Sequence, residues 1–155
     1  MKFYEQNEYQ EKCSALFLKL RYEISSVLPS AQIEHIGSTS VPGAISKGDL
    51  DIYIGVDPQA LENAVLALIE CGYKEKSDTL RTPELCMLVA QENVALQVVA
   101  VGSQYEFFIR FRDILRSKPD LVRKYNDLKI SCIGFSEEQY RVIKSKFIED
   151  VLQNA

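Results

Sequence analysis

Histidine and cysteine are scarce in this chain, and their spacing argues against metal chemistry built on them. The 155 residues hold one histidine, His35, and four cysteines, Cys13, Cys71, Cys86 and Cys132, with no CxxC pair. Zinc sites draw on closely spaced Cys and His ligands, so none is expected, and the thiols read as free in a reducing compartment. Long apolar runs are missing too. No stretch approaches the roughly 20 apolar residues of a membrane span. The opening residues, MKFYEQNEYQ, lack the apolar core of a secretory signal. A cytoplasmic protein without membrane contact is the expectation. Nor is there an excess of positive charge. Eighteen Lys and Arg stand against 22 Asp and Glu, for a net charge of −4, so the molecule as a whole offers no broad field to nucleic acid.

What is present has the balance of a folded domain, with 46% apolar and 26% charged residues. The length suits one domain over 1–155. Residues 7–28 carry Ala15, Leu16, Leu18, Leu20, Ile24, Val27 and Leu28 at helical spacing, and Pro29 stops that helix. Residues 32–37 and 50–56 read as strands flanking a Ser-, Gly- and Pro-rich loop. Asp57-Pro58 opens a helix through Ile69 that Gly72 ends. Two strands follow at 84–90 and 94–101, with Glu92-Asn93 as their turn. The remainder reads as helices at 104–117, 119–131 and 137–153, with capping-box patterns at Ser103–Glu106 and Ser136–Gln139. The order predicts an α+β domain with an N-terminal helix and a C-terminal helical cap.

The stretch that points to chemistry is HIGSTSVPGAISKGDLDIYIGV, residues 35–56. A strand ends in Gly37-Ser38. Ten residues further on come Asp49 and Asp51 at the start of the next strand. Glycine at such a corner lets backbone approach a phosphate, and Ser38, Thr39 and Ser40 offer hydroxyl and N–H donors. Carboxylates two apart on a strand share a face and suit Mg²⁺, which completes its shell with water and phosphate oxygens. A phosphate loop beside paired carboxylates is the apparatus of metal-assisted phosphoryl or nucleotidyl transfer. Taken singly, GSTS is an ordinary turn and Asp-x-Asp a solvated strand face; their joint spacing carries the functional reading.

Hydrophobic-Gly-Ser, a gap of ten, then Asp-hydrophobic-Asp-hydrophobic resembles the signature of the polymerase β nucleotidyltransferase superfamily. IEHIGSTSVPG, FRDILRSKPDLVRKYNDLK at 111–129 and YRVIKSKFIEDVL at 140–152 resemble, more narrowly, the GrpB family. That resemblance implies a polymerase β-like fold with a mixed sheet, and a cytoplasmic protein binding a nucleotide or other phosphorylated small molecule with Mg²⁺ on Asp49 and Asp51. It also singles out Arg112, Lys129 and Lys144, with Tyr125 and Tyr140 nearby. On this reading Lys129 and Lys144 reach a triphosphate, and a tyrosine stacks on or borders the base. Tyr140 and Lys144, four apart, share a helix face. Two departures stand out. Many relatives have one Asp where this chain has Lys47-Gly48-Asp49-Leu50-Asp51, the two-Asp pattern of active transferases. Active members also place a third Asp on a later strand, where this chain has Gln97 and many relatives of the family have His. An amide holds a substrate but takes no proton near neutral pH. Glu92 is the nearest alternative carboxylate in sequence, at the expected turn.

Other residues carry plainer expectations. His35 reads as a packed, hydrogen-bonded residue positioning the loop, with acid–base work as the rival. Lys47 either neutralises phosphate or pairs with Asp49. Pro42-Gly43 sets a turn. Phe107, Phe108, Phe111, Leu115, Phe147, Ile148, Val151 and Leu152 read as core and not as a ligand pocket. Three functions follow: a nucleotidyltransferase, a nucleotide-binding or regulatory domain without turnover (relatives fused to dephospho-CoA kinase hint at CoA or nucleotide metabolism), or a structural partner-binding domain.

Overall fold

The computed structural model describes residues 1–91 and 93–155. In chain order it contains α1 (Gln6–Val27), β1 (Gln32–Ile36), β2 (Leu50–Val56), α2 (Leu61–Glu70), β3 (Lys74–Glu75), β4 (Leu85–Ala90), β5 (Val94–Ala100), α3 (Phe107–Ser117), α4 (Pro119–Ser131) and α5 (Glu137–Gln153). The strands form one sheet ordered β1-β2-β5-β4-β3. β2 and β5 are parallel and every other pairing is antiparallel, so the sheet is mixed, as expected.

Strand alternation divides the molecule into two sides. Leu50, Ile52, Ile54 and Val56 of β2 and Val94, Leu96, Val98 and Ala100 of β5 point to one side. There they bury against Leu61, Ala64, Val65 and Leu68 of α2 and Ile24 of α1. On the other side, register places Asp51 beside Ala95 and Tyr53 beside Gln97. The C-terminal helices cover part of this second side. Ile36, Tyr53, Leu85, Val99 and Tyr105 pack there with Phe107, Phe108 and Ile109. Val41, Ala44, Leu115, Val122 and Tyr125 form a further cluster with Phe111, Leu121 and Phe147. The stretch of the second side that they leave open is the one that carries Asp51.

Helix ends follow their side chains. Ser136 and Gln139 form the expected capping box at α5, and Pro119 occupies the first turn of α4. Other elements depart from expectation. Asp57 accepts from Gln59 N–H and so caps a short 3₁₀ turn, Pro58–Ala60, that leads into α2. Ser103 does the same for the 3₁₀ turn Gln104–Glu106, while Glu106 accepts from Gly102 N–H. The expected helix from 104 therefore begins as α only at Phe107. β3 is an element beyond the expected strands, and it leaves no apolar pattern because both its residues are exposed and polar. In α1, Tyr9, Cys13 and Ile24 are buried, whereas Leu18 and Val27, assigned to its apolar stripe, are exposed. Of the expected β4–β5 turn, Asn93 has φ 61° and Glu92 lies outside the described residues. Among the described residues no helix is long and apolar enough to cross a membrane.

Gly55 marks a tight point in the sheet. A Cβ there would sit 2.8 Å from Tyr53 Cε1, because the Tyr53 ring leans back over its own strand. Gly55→Ala is expected to destabilise the fold by about 1–3 kcal/mol, measured as a fall in the denaturant midpoint with unchanged slope.

Candidate functional site

The loop between β1 and β2 is where the chain's chemistry gathers, and it is held from both flanks. From α1 and the residues before it, Tyr9 Oη donates to Ala44 O (2.6 Å), Gln6 Oε1 accepts from Gly43 N–H, and Tyr4 pairs with Ser46 through the backbone. From α4, Asn126 accepts from Ile45 N–H and donates to Gly43 O, and Lys129 Nζ donates to Ile45 O (2.6 Å) and Ser38 Oγ (2.8 Å). From α3, Arg116 Nε donates to Ser40 O. Buried loop carbonyls need such partners, and here helices distant in sequence supply them.

Gly37 is the turning point. Its φ of 76° and ψ of −177° lie in a region that only glycine occupies readily. A Cβ at Gly37 would fall 2.3 Å from Asp51 Oδ2. Bare backbone therefore lies directly against the Asp51 carboxylate. Beside it opens a cleft of about 730 Å³ lined by Gly37, Ser38, Lys47, Asp49, Asp51, Gln97, Lys129, Tyr140 and Lys144, among others. Nine residues expected at the site from sequence thus share one cavity. Asp49 lies one residue before β2 and still reaches it.

Thr39 and Ser40 do not. Both are buried. Thr39 Oγ1 donates to Asp49 O and meets His35 Nε2 at 2.9 Å, and Ser40 returns both its N–H and its hydroxyl to Gly37 O. They shape the loop from inside and are not placed to hold phosphate, because their hydroxyls are spent on neighbouring backbone. His35 points away from the cleft, stacked on Phe17 at 5.2 Å between centroids. Burial, with Arg116 and Arg112 adding to the effect, pulls its pKa down to about 4, so it is neutral at pH 7. It positions the loop, as expected.

The cations sort differently from expectation. Lys129 is 1% exposed, lies 4.0 Å from the Tyr125 ring centroid, and spends its ammonium on Ser38 and Ile45. Burial, with Lys144 and Lys47 nearby, pulls it down to about 7. It works as the clasp of the β1–β2 loop. Arg112 is tied to Glu34 Oε1 (2.7 Å), Asp113 and His35 O, anchoring α3 to β1. Lys47 pairs with Glu137 at 3.4 Å, not with Asp49, because α5 brings that carboxylate within reach. Lys144 faces Asp51 closely enough to oppose the rise in its pKa. Lys47 and Lys144 both lie over the Tyr140 ring, at 5.6 and 6.0 Å, and Phe3 meets the same ring edge-on.

Among the described residues, no hydrogen bond or ion pair reaches the carboxylate of Asp49 or Asp51. Nor do three His, Cys, Asp or Glu side chains gather into a ready metal cage. Burial pushes Asp51 up to about 6, with Lys144 opposing and Asp49 reinforcing the rise. Two oxygen donors without protein partners, open to a cleft, fit Mg²⁺, which keeps waters and takes substrate oxygens. Phe3, Lys76 and Arg141 also line the cleft, and no pattern in the sequence marked them. Phe107, Phe108 and Phe111 do so as well, against the expectation that they are core alone. They are only partly buried, because α3 sets them at the rim between the sheet and the cavity.

A sequence model of the GrpB protein family matches residues 5–154. The chain belongs to the GrpB family. It is 59% identical to a UPF0157 protein of Vibrio cholerae serotype O1 over 157 residues, covering 100% of this chain and 84% of that one. A UPF0157 protein of Deinococcus radiodurans is 32% identical over 147 residues, covering 92% and 77%. Among solved structures, the conserved protein GrpB from Enterococcus faecalis superposes with a TM-score of 0.78 at 21% identity over 99% of this chain and 98% of that one. The Cid1 poly(U) polymerase with Mg 3′-dATP bound gives a TM-score of 0.54 at 19% identity, over 79% of this chain and 39% of that one. At these identities the likeness establishes the fold, which is that of the polymerase β-like nucleotidyltransferases.

In this GrpB family member, Asp51 is expected to cost stability when ionised. Its folded pKa of about 6 lies above the ordinary 3.8. The stability that its proton contributes is therefore fully present below about pH 3.8 and is lost as pH rises through about 6. In metal-free protein Asp51→Asn should raise the thermal midpoint near pH 7.5, by a free energy on the order of 1–2 kcal/mol, and the gain should vanish toward pH 4. Gly37→Ala should do the opposite, lowering stability at both pH values by about 1–3 kcal/mol.

Proposed function

We propose that the cleft binds a nucleoside triphosphate with Mg²⁺ and presents it for transfer of its nucleotidyl group to a second substrate. The observation that carries this reading is the pair of carboxylates, Asp49 and Asp51, left without protein partners beside bare Gly37 backbone and opposite Lys144. Asp49 and Asp51 would hold the metal, which when bound would neutralise phosphate charge. Gly37 and Ser38 would border the phosphates, with Ser38 Oγ fixed by Lys129. Lys144 would meet negative charge from α5, and Tyr140, already flanked by two ammonium groups, would border the base. The catalytic contribution of this chain would be positioning and charge stabilisation.

One observation favours a second reading, a nucleotide-binding domain without turnover. Gln97 occupies β5 on the cleft side, where an active transferase carries its third carboxylate, and an amide takes no proton near neutral pH. β5 itself holds no carboxylate, since that strand reads VALQVVA.

Thermal unfolding with each nucleoside triphosphate and with CoA-type nucleotides, with and without Mg²⁺, separates the readings. A ligand at a hundredfold excess over its dissociation constant stabilises by about 2.7 kcal/mol. The expected result is a Mg²⁺-dependent rise lost in Asp49→Ala and Asp51→Ala and weakened several-fold in Lys144→Gln. Asp51→Asn, expected to be no less stable than the wild type without metal, should lose the shift as well, which separates lost binding from unfolding. Absence of any shift in the wild type refutes both readings. Binding without release of pyrophosphate in the presence of candidate acceptors leaves the second.

A further inference from the structure

The same cleft has an apolar end that the nucleotide reading does not use. The register of the sheet locates it. Gln97 is paired with Tyr53 on one flank and Met87 on the other, one cleft-facing position further along β5 than Ala95, the partner of Asp51. Val89, on the same face of β4, lies opposite Ala95. Over this part of the sheet stand Phe107 and Phe108 of α3, stacked at 4.3 Å between centroids, with Phe111 one turn on and Ile148 of α5. All of these residues except Tyr53 line the cleft. Ser38, Lys47 and Asp49 of the β1–β2 loop, Asp51 at the start of β2, Lys129 of α4 and Lys144 of α5 line the polar part of the cavity, and the three phenylalanines with Ile148 line an aromatic part beside Gln97.

Two buried polar atoms here have no hydrogen-bond partner, Tyr53 Oη and Gln97 Oε1, and of these two residues Gln97 is the one that lines the cleft. Gln97 is 5% exposed, and its Oε1 has no hydrogen-bond partner. A buried amide oxygen left unpaired costs free energy, and ligand sites characteristically set one such polar group among apolar walls to fix orientation. We propose that Gln97 and the wall of Met87, Val89, Phe107, Phe108, Phe111 and Ile148 form the binding subsite for the second substrate. Its ligand is a small, flat, largely apolar molecule carrying one hydroxyl or amino group that meets the Gln97 amide. The role of this ligand as the partner of a nucleotide rests on the reading above; the subsite itself does not. The net charge of −4 and the apolar wall favour a small molecule over a nucleic-acid acceptor, whose backbone would need cations along its path.

Phenol and toluene serve as probes, since they share a flat ring and differ in the hydroxyl. Binding is followed by NMR through the Gln97 side-chain amide and the Met87 methyl group, in wild type, Gln97→Met and Phe108→Ala, with and without Mg²⁺ and ATP. The expected result is that both signals move with phenol, that phenol is preferred to toluene in the wild type, and that Gln97→Met lowers the phenol-to-toluene affinity ratio about tenfold. Phe108→Ala should weaken both probes together. Phenol binding should persist with Mg²⁺ and ATP present. An unchanged ratio in Gln97→Met, or no movement of either signal at millimolar phenol, overturns the proposal. Displacement of phenol by ATP also overturns it, because the wall would then be the base site. Phenol binding with the expected ratio, in protein that shows no ATP shift, sustains the subsite while the nucleotide reading fails.

Discussion

Everything at this site depends on the clamped loop between the first two long strands. Left to itself, a loop of Ser, Gly and Pro would sample many conformations at a backbone cost of about 1–2 kcal/mol for each residue fixed. Here Tyr9 and Gln6 hold it from the N-terminal helix, while Asn126, Lys129 and Arg116 hold it from the C-terminal cap. The clamp presses Gly37 backbone onto the Asp51 carboxylate at a separation no other residue permits. The helical cap is therefore more than a lid over the sheet, since it supplies hydrogen bonds that give the β1–β2 loop one shape.

The clamp also explains how charge is distributed. Lys129 is used internally: its Nζ donates to a hydroxyl and to a carbonyl and lies over an aromatic face, with no carboxylate beside it. Arg112 is likewise consumed, in fastening α3 to the edge strand. Lys144 is left to face the carboxylates. A cleft with two unpartnered carboxylates and its nearest cations either spoken for or held at a distance is electrostatically unfinished. On the proposed function, Mg²⁺ together with a nucleoside triphosphate would supply the charges that this cleft lacks.

The fold supports this economy through strand alternation. One side of β2 and β5 is continuous core, and the other side carries Asp51, Tyr53 and Gln97 in a short row. Tyr53 leans over Gly55 and so leaves the space above Asp51 open. Gln97, one step along, then looks into the aromatic part of the cavity. The polar and apolar ends of the cleft are thus consecutive positions on one sheet face.

Local spacing along the chain carries the long elements and their order, the Gly37-Ser38 and Asp49/Asp51 constellation and the family, through strand alternation, helical stripes, caps and a motif within one stretch, but not β3, whose two residues are exposed and polar. Those signals depend only on near neighbours along the chain. Tertiary structure decided the rest. Thr39 and Ser40 were expected to face phosphate and face inward instead, because backbone acceptors of the same loop capture their hydroxyls. Lys129 was expected to reach the ligand and holds the loop, and Lys47 met Glu137 in place of Asp49, since both outcomes turn on where helices far along the chain come to rest. Phe107, Phe108 and Phe111 look like any core stripe in sequence; only the angle at which α3 crosses the sheet leaves them at a cavity. Hydrophobic spacing says that a side chain will be covered, and packing across the chain decides whether protein or ligand covers it.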